Sequence, residues 1–287
     1  MTTYQTIEVK PIAGALGATI RGADLANLNQ ETFSEIHRAF LENLVVFFLD
    51  QDLTVNDLKN FARRFGPLVV DPIVKSAEGE PEVLAVVKEP HEKRAFGENW
   101  HTDSTFWEKP PLASFLYAHE LPDFGGDTMF ANQYMALDIL SDGLKKELRK
   151  LKAVHRPVNY EHGATNGIYT PDRSMKLRQD DPDFRKNVTT EMIHPAVRTH
   201  PETGREALFL NSTYVQRFDG WTQEESMPLL KYIFEQAIRP ELTCRYTWTP
   251  GAVAMWDNRC TMHRPINDYN GKRRVMSRVV AEGDRPV

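Results

Sequence analysis

His101 and Asp103 stand one residue apart in the stretch N-W-H-T-D-S-T-F, which runs from Asn99 to Phe106. In an extended strand, residues i and i+2 point to the same face, so this tripeptide would aim an imidazole and a carboxylate at one point. A metal gripped by two such groups needs a third ligand, and His263, in W-D-N-R-C-T-M-H-R, is the best candidate. Two histidines and one carboxylate on one face of an ion, with the other positions open, form the ligand set of non-haem Fe(II) oxygenases. A lone H-x-D is more often a simple hydrogen-bonded pair, so the weight falls on the residues after His263. Arg274 and Arg278 lie four apart in the strand-like run R-R-V-M-S-R-V-V, and on a strand they share a face. A planar guanidinium beside a metal can grip a carboxylate through two parallel hydrogen bonds. Metal and carboxylate anchor together fit an oxo-acid cosubstrate.

These residues sit in a longer series of motifs. The chain carries G-A-x-I-R-G-A-D-L (Gly17 to Leu25), F-A-R-R-F-G (Phe61 to Gly66), P-x-x-G-G-D-T (Pro122 to Thr128) and H-P-A-V-R-T-H-P-E-T-G (His194 to Gly204). It closes with W-D-N-R and the pair His263 and Arg274. In this order the series resembles the TauD/TfdA family of Fe(II)/2-oxoglutarate-dependent dioxygenases over nearly the whole length. Within that family, K-S-A-E-G-E-P-E-V and C-T-M-H-R-P-I-N-D-Y-N-G-K look most like the aryloxyalkanoate (phenoxypropionate) dioxygenases.

The resemblance implies a double-stranded β-helix, or jelly roll, with flanking helices. It implies Fe(II) on His101, Asp103 and His263, with 2-oxoglutarate and O2 as cosubstrates, succinate and CO2 as products, and hydroxylation of an unactivated C–H bond. Thr128 and Arg274 match the residues that hold the far carboxylate of 2-oxoglutarate, and Arg278 matches the one that pairs with the substrate's acid group. From the residues alone, Arg278 also fits a structural ion pair. The match to taurine dioxygenase itself breaks down where taurine is gripped: those positions are Asp71, Val74 and Gly97 here, and the pocket phenylalanine is matched by Tyr214. With Asn99 at the head of the metal motif, these are the candidate substrate contacts. They point to a less polar small organic acid, a carboxylate or sulfonate, and to net bond cleavage where the oxidised carbon adjoins oxygen, nitrogen or sulfur. Three other readings stay open: a biosynthetic hydroxylase of a larger natural product, a zinc hydrolase or lyase on the same ligands, and a passive binding protein on the same fold. Zinc chemistry would leave Thr128 and Arg274 without a purpose.

The chain has 287 residues and a formal net charge of -5. That length fits one catalytic domain spanning 1–287, and the charge argues against nucleic acid as a partner. No run is apolar enough to span a membrane, and the N-terminus lacks a basic start followed by an apolar core. Two cysteines, Cys244 and Cys260, suggest reduced thiols in the cytoplasm. Cys260 lies close to His263, but the ligand triad is complete without it. The family further implies a homo-oligomer.

The positioning elements follow from periodicity. Helical spacing covers Thr32 to Asn43, and Thr54 with Asp57 starts a second helix that Gly66-Pro67 stops. Strands are expected at Leu44–Leu49, Val83–Val87, Pro111–Glu120, 126–132, Ala196–Thr199, Ala207–Leu210, Thr243–Thr249, Ala252–Trp256 and Arg273–Ala281. Ser141 can cap a helix, and Thr222 with Glu225 forms a capping box, although Pro228 argues for a later start near Ser226. The stretches near 71–99 and 156–192 lack a period and read as lids over the site or as plain connections. Many short strands with a few helices and no βαβ alternation suggest an antiparallel double-sheet jelly roll, the same fold that the resemblance implies.

Overall fold

The computed structural model describes residues 4–157 and 176–287. In chain order the strands are β1 (Glu8–Pro11), β2 (Ala18–Arg21), β3 (Val45–Phe48), β4 (Leu84–Lys88), β5 (Ala113–Glu120), β6 (Thr128–Asn132) and β7 (Lys152–His155). They continue with β8 (Met192–Pro195), β9 (Val197–Thr199), β10 (Glu206–Leu208), β11 (Val215–Phe218), β12 (Thr243–Tyr246), β13 (Val253–Asp257), β14 (Thr261–Pro265) and β15 (Arg274–Ala281). A major sheet has the order β1-β2-β3-β13-β5-β15-β4, and a minor sheet the order β12-β6-β14. Pairing is antiparallel except between β2 and β3. This is the expected jelly roll, with two smaller sheets, β11-β7-β8 and β10-β9, set beside it.

The space between the two sheets is filled by aromatic side chains. Phe47 stacks on Tyr246 with ring centroids 3.7 Å apart, and Phe130 meets Phe47 and Trp256 at 5.7 Å each. Every residue of β3 is buried, which is why its V-V-F-F run carries no alternation. Each such side chain contributes about 1.5–3 kcal/mol of burial. On the outer face of the major sheet pack two helices, Gln30–Asn43 and Val55–Arg63, through Ile36, Phe40, Leu58 and Phe61. The second begins as expected, with Thr54 and Asp57 capping each other.

Two expectations need correction. His101 and Asp103 do not share a strand: His101 forms an isolated bridge and Asp103 opens a turn, with Ser104 at φ +46 in the left-handed region. The helix capped by Thr222 runs Gln223–Ala237 straight through Pro228. Pro228 lies on the exposed side, so water can take up the carbonyl left without a partner. The stretch near 156–192, expected as a lid or a connection, holds a short helix, Phe184–Thr189, and the start of β8. The rest of that stretch, 158–175, lies outside the described residues.

The two aperiodic stretches are tied to each other. Val74 bridges Leu177, the Lys75 amide donates to the Lys176 carbonyl, and the Arg178 amide donates to the Ile73 carbonyl. The Arg178 guanidinium donates to the Asp71 and Val74 carbonyls and to Ser76 Oγ. Between them lies an apolar cluster of Ile73, Val74, Leu84, Phe106, Leu177, Phe184, Val188 and Tyr214.

Candidate active site

His263 lies on β14 of the minor sheet, while Asp103 is fastened to the major sheet. Ser114 Oγ, on β5, donates to Asp103 Oδ2 at 2.6 Å, and Arg278 Nη2, on β15, forms an ion pair with the same oxygen at 2.7 Å. Asn258, just past β13, accepts from the Asp103 amide at 3.3 Å and donates to Ser114 Oγ at 3.0 Å. His101 is stitched to His263 by two backbone hydrogen bonds, of 3.0 and 2.8 Å. The three side chains therefore converge between the sheets, all buried, with Asp103 Oδ1 3.5 Å from His101 Nε2 and 3.8 Å from His263 Nε2.

These groups suit a divalent ion. His101 Nδ1 is 2.8 Å from the Asn99 carbonyl, and with the proton on Nδ1 the Nε2 lone pair faces its partners. One ligand atom from each of the three side chains lies within 4.8 Å of the others, so the set could hold a single divalent ion. Burial alone would raise Asp103, but Arg278, His263 and His101 outweigh it and hold its carboxyl well below the usual range. Burial, reinforced by His101, pushes His263 well below an ordinary imidazole. A carboxylate and a neutral imidazole are the forms a metal takes.

A second buried set, His200, Asp257 and Cys260, does not offer the same chemistry. His200 Nε2 is 3.0 Å from Asp257 Oδ2, and its Nδ1 accepts the amides of Glu202 and Thr203. Arg259 occupies both oxygens of Asp257, and burial raises the Cys260 thiol far above its usual value. This is a structural ion-pair network around W-D-N-R.

Beside the triad, Arg274 is 5 % exposed, yet its Nε and Nη2 have no hydrogen-bond partner. Its guanidinium lies 5.6 Å from the centroid of Trp248, whose indole N–H donates to Thr128 Oγ1 at 3.0 Å. A buried fork with open donors, next to a buried hydroxyl, is complementary to a carboxylate. Thr128 and Arg274 are thus brought together from β6 and β15, one on each sheet.

The other expected contacts divide. Arg278 is spent in part on Asp103 and on Ser114, 3.3 Å away, but its buried Nε is unpartnered. Asp71 lines a small cavity with Arg278, and accepts the amides of Ile73 and Val74 at 2.8 Å each. Burial pushes its carboxyl above the ordinary value despite those amides and Arg278. Val74 belongs to the apolar cluster, and Tyr214 presents its ring edge-on, 6.3 Å from His101 and 4.9 Å from Phe106. Gly97 lies over the metal ligand: at φ +73, a Cβ there would meet His101 Cε1 at 2.9 Å. Asn99 acts through its carbonyl while the residue itself is exposed. Sequence reasoning missed Ser114, Asn258 and Trp248. Asn258 lies inside the W-D-N-R motif, whereas Ser114 carries no local signal.

Comparison with known proteins agrees with this geometry. The family described as "Taurine catabolism dioxygenase TauD, TfdA family" matches residues 8–280. An alpha-ketoglutarate-dependent sulfate ester dioxygenase of Pseudomonas putida is 34% identical, over 98% of this chain and 91% of its own. The (S)-phenoxypropionate/alpha-ketoglutarate-dioxygenase of Sphingobium herbicidovorans is 28% identical, over 96% of this chain and 95% of its own. The crystal structure of a taurine dioxygenase from Burkholderia xenovorans superposes with a TM-score of 0.81 at 33% identity, covering 99% of this chain and 93% of that one. With the family's fold, its motifs in order and a buried His-Asp-His set between the sheets, the chain belongs to the TauD/TfdA family of dioxygenases.

Proposed function

We propose that this chain is a 2-oxoglutarate-dependent dioxygenase acting on a small organic monoanion with an apolar body, such as an alkyl sulfate ester, an alkyl sulfonate or an aryloxyalkanoate. The observation that carries this reading is the pairing of opposites beside the metal ligands: the unpartnered Nε of buried Arg278 on one side, the apolar cluster of Val74, Phe106 and Tyr214 on the other. With Fe(II) bound, the centre couples O2 and the decarboxylation of 2-oxoglutarate to the insertion of oxygen into a C–H bond. His101, Asp103 and His263 hold that ion, and Arg274 with Thr128 holds the far carboxylate. Arg278 orients the substrate's anionic head through a charge-assisted hydrogen bond. The joined loops, 71–77 and 176–178, cover the apolar body and keep water out.

Oxygenation at a carbon that bears oxygen gives a hemiacetal-type product, which collapses. An alkyl sulfate would leave an aldehyde and inorganic sulfate, and an aryloxyalkanoate a phenol and an oxo acid. The relatives acting on sulfate esters and phenoxypropionate favour these two classes. Taurine fits poorly, since its ammonium would meet Val74 and the apolar cluster.

A panel of alkyl sulfates, alkyl sulfonates, aryloxyalkanoates and taurine, scored by succinate released per mole of product, tests this. Tight coupling with one of the apolar monoanions and weak coupling with taurine is expected. Coupling with taurine alone would reject it.

A further inference from the structure

Lys88 closes β4 directly opposite Arg274 of β15. Residues opposite each other in an antiparallel pair lean to the same face, so Lys88 turns inward with Arg274. It is 4 % exposed, and its ammonium has no hydrogen-bond partner. The nitrogen sits 4.6 Å from the centroid of Tyr269. Tyr269 in turn packs so closely on Gly126 that a Cβ there would meet its ring at 3.4 Å. Gly126 lies two residues before Thr128. Lys88 and Arg274 therefore lean to one face of the sheet, and Tyr269 links Lys88 to the backbone just before Thr128. Glu92 and Glu98 attract Lys88 through space, but neither bonds to it.

Two buried cations with open donors on one face are costly unless an anion completes them. Tyr269 offers Lys88 a ring face, which satisfies none of its three N–H groups as a carboxylate oxygen would. We propose that Lys88 is a second contact for the far carboxylate of the keto acid, acting beside Arg274. Arg274 supplies the planar fork and Lys88 a point charge. Lys88 is then a specificity residue that selects a dicarboxylic keto acid over a monocarboxylic one. The inference rests on the keto-acid reading of the pocket given above.

The test is calorimetric titration of the Mn(II)-loaded protein under anaerobic conditions, with 2-oxoglutarate and with 2-oxovalerate. The second ligand keeps the keto-acid end and lacks the far carboxylate. Lys88→Met is expected to weaken 2-oxoglutarate binding about 10-fold and to leave 2-oxovalerate binding unchanged. Lys88→Gln should behave alike, and Lys88→Arg should retain most of the affinity. Equal weakening toward both ligands, or no change toward either, would overturn the inference. So would failure of both the Met and Gln variants to fold, which would make Lys88 a brace of the core. If the unaltered protein binds neither ligand, the keto-acid reading itself fails, an outcome distinct from the other three.

Discussion

The backbones of His101 and His263 exchange both of their hydrogen bonds, so two candidate metal ligands from distant parts of the chain are also partners in a β-bridge. Their ring centroids lie 4.2 Å apart. The spacing of the two imidazoles is thus set by main-chain geometry and does not depend on either side chain. Replacing either ring should remove the metal and spare the fold. For His101→Ala we expect loss of measurable Mn(II) binding by calorimetry, with a melting temperature close to that of the unaltered apoprotein. A large drop in that temperature would show that the ring, and not the bridge, holds the segment.

Asp103 depends on its neighbours in a different way. Ser114 hydrogen-bonds to its Oδ2 and Arg278 ion-pairs with the same oxygen, which leaves Oδ1 toward the histidines. Ser114→Ala removes one of the two props without adding bulk. Metal affinity should fall by about 10- to 100-fold, as is usual for groups that orient a ligand. Unchanged affinity by calorimetry would mean that Arg278 alone suffices.

Gly97 carries a conformational and a steric requirement together. At φ +73 an alanine would cost about 1–2 kcal/mol of backbone strain, and its methyl would press on His101 Cε1. Gly97→Ala is expected to weaken metal binding and to lower stability by roughly that amount in urea denaturation. Stability loss without any change in metal affinity would show that the ring can move aside.

The W-D-N-R network makes stability depend on acid. The hydrogen bond from His37, the largest influence, joins Arg259 in outweighing burial, which acts the other way, and leaves Glu202 depressed from 4.5 to about 2. A carboxyl with a lowered folded-state value contributes stability that is present above 4.5 and is lost as pH falls from there toward 2. The melting temperature should decline over that window, and Glu202→Gln should flatten part of the decline while lowering the plateau above it. An identical acid profile in the variant would contradict the assignment.

How much of the fold and site is legible in the sequence depends on where the information lies. The capping pair Thr54–Asp57 and the buried strand β3 follow from local pattern, and both appear where the pattern puts them. The side-by-side placement of Thr128 and Arg274 needs the motif order, because they come from opposite sheets. Ser114 and Lys88 are invisible, since a serine in a strand or a lysine ending one has no local mark of a buried task. The turn at Ser104 reads as strand because i, i+2 spacing fits both. The bridge between Val74 and Leu177 is a long-range pairing that no window along the chain contains.

If His101, Asp103 and His263 hold an iron that turns over 2-oxoglutarate anchored by Arg274, succinate formation depends on every part of that set. The most direct measurement is succinate formation, followed while Fe(II), 2-oxoglutarate and O2 are withheld one at a time, in the unaltered protein and in Arg274→Met. Succinate is expected only when all three are present, with a rise of about 10-fold or more in the 2-oxoglutarate KM for the variant. Succinate formation that survives the omission of Fe(II), or an unchanged KM in Arg274→Met, would contradict that assignment.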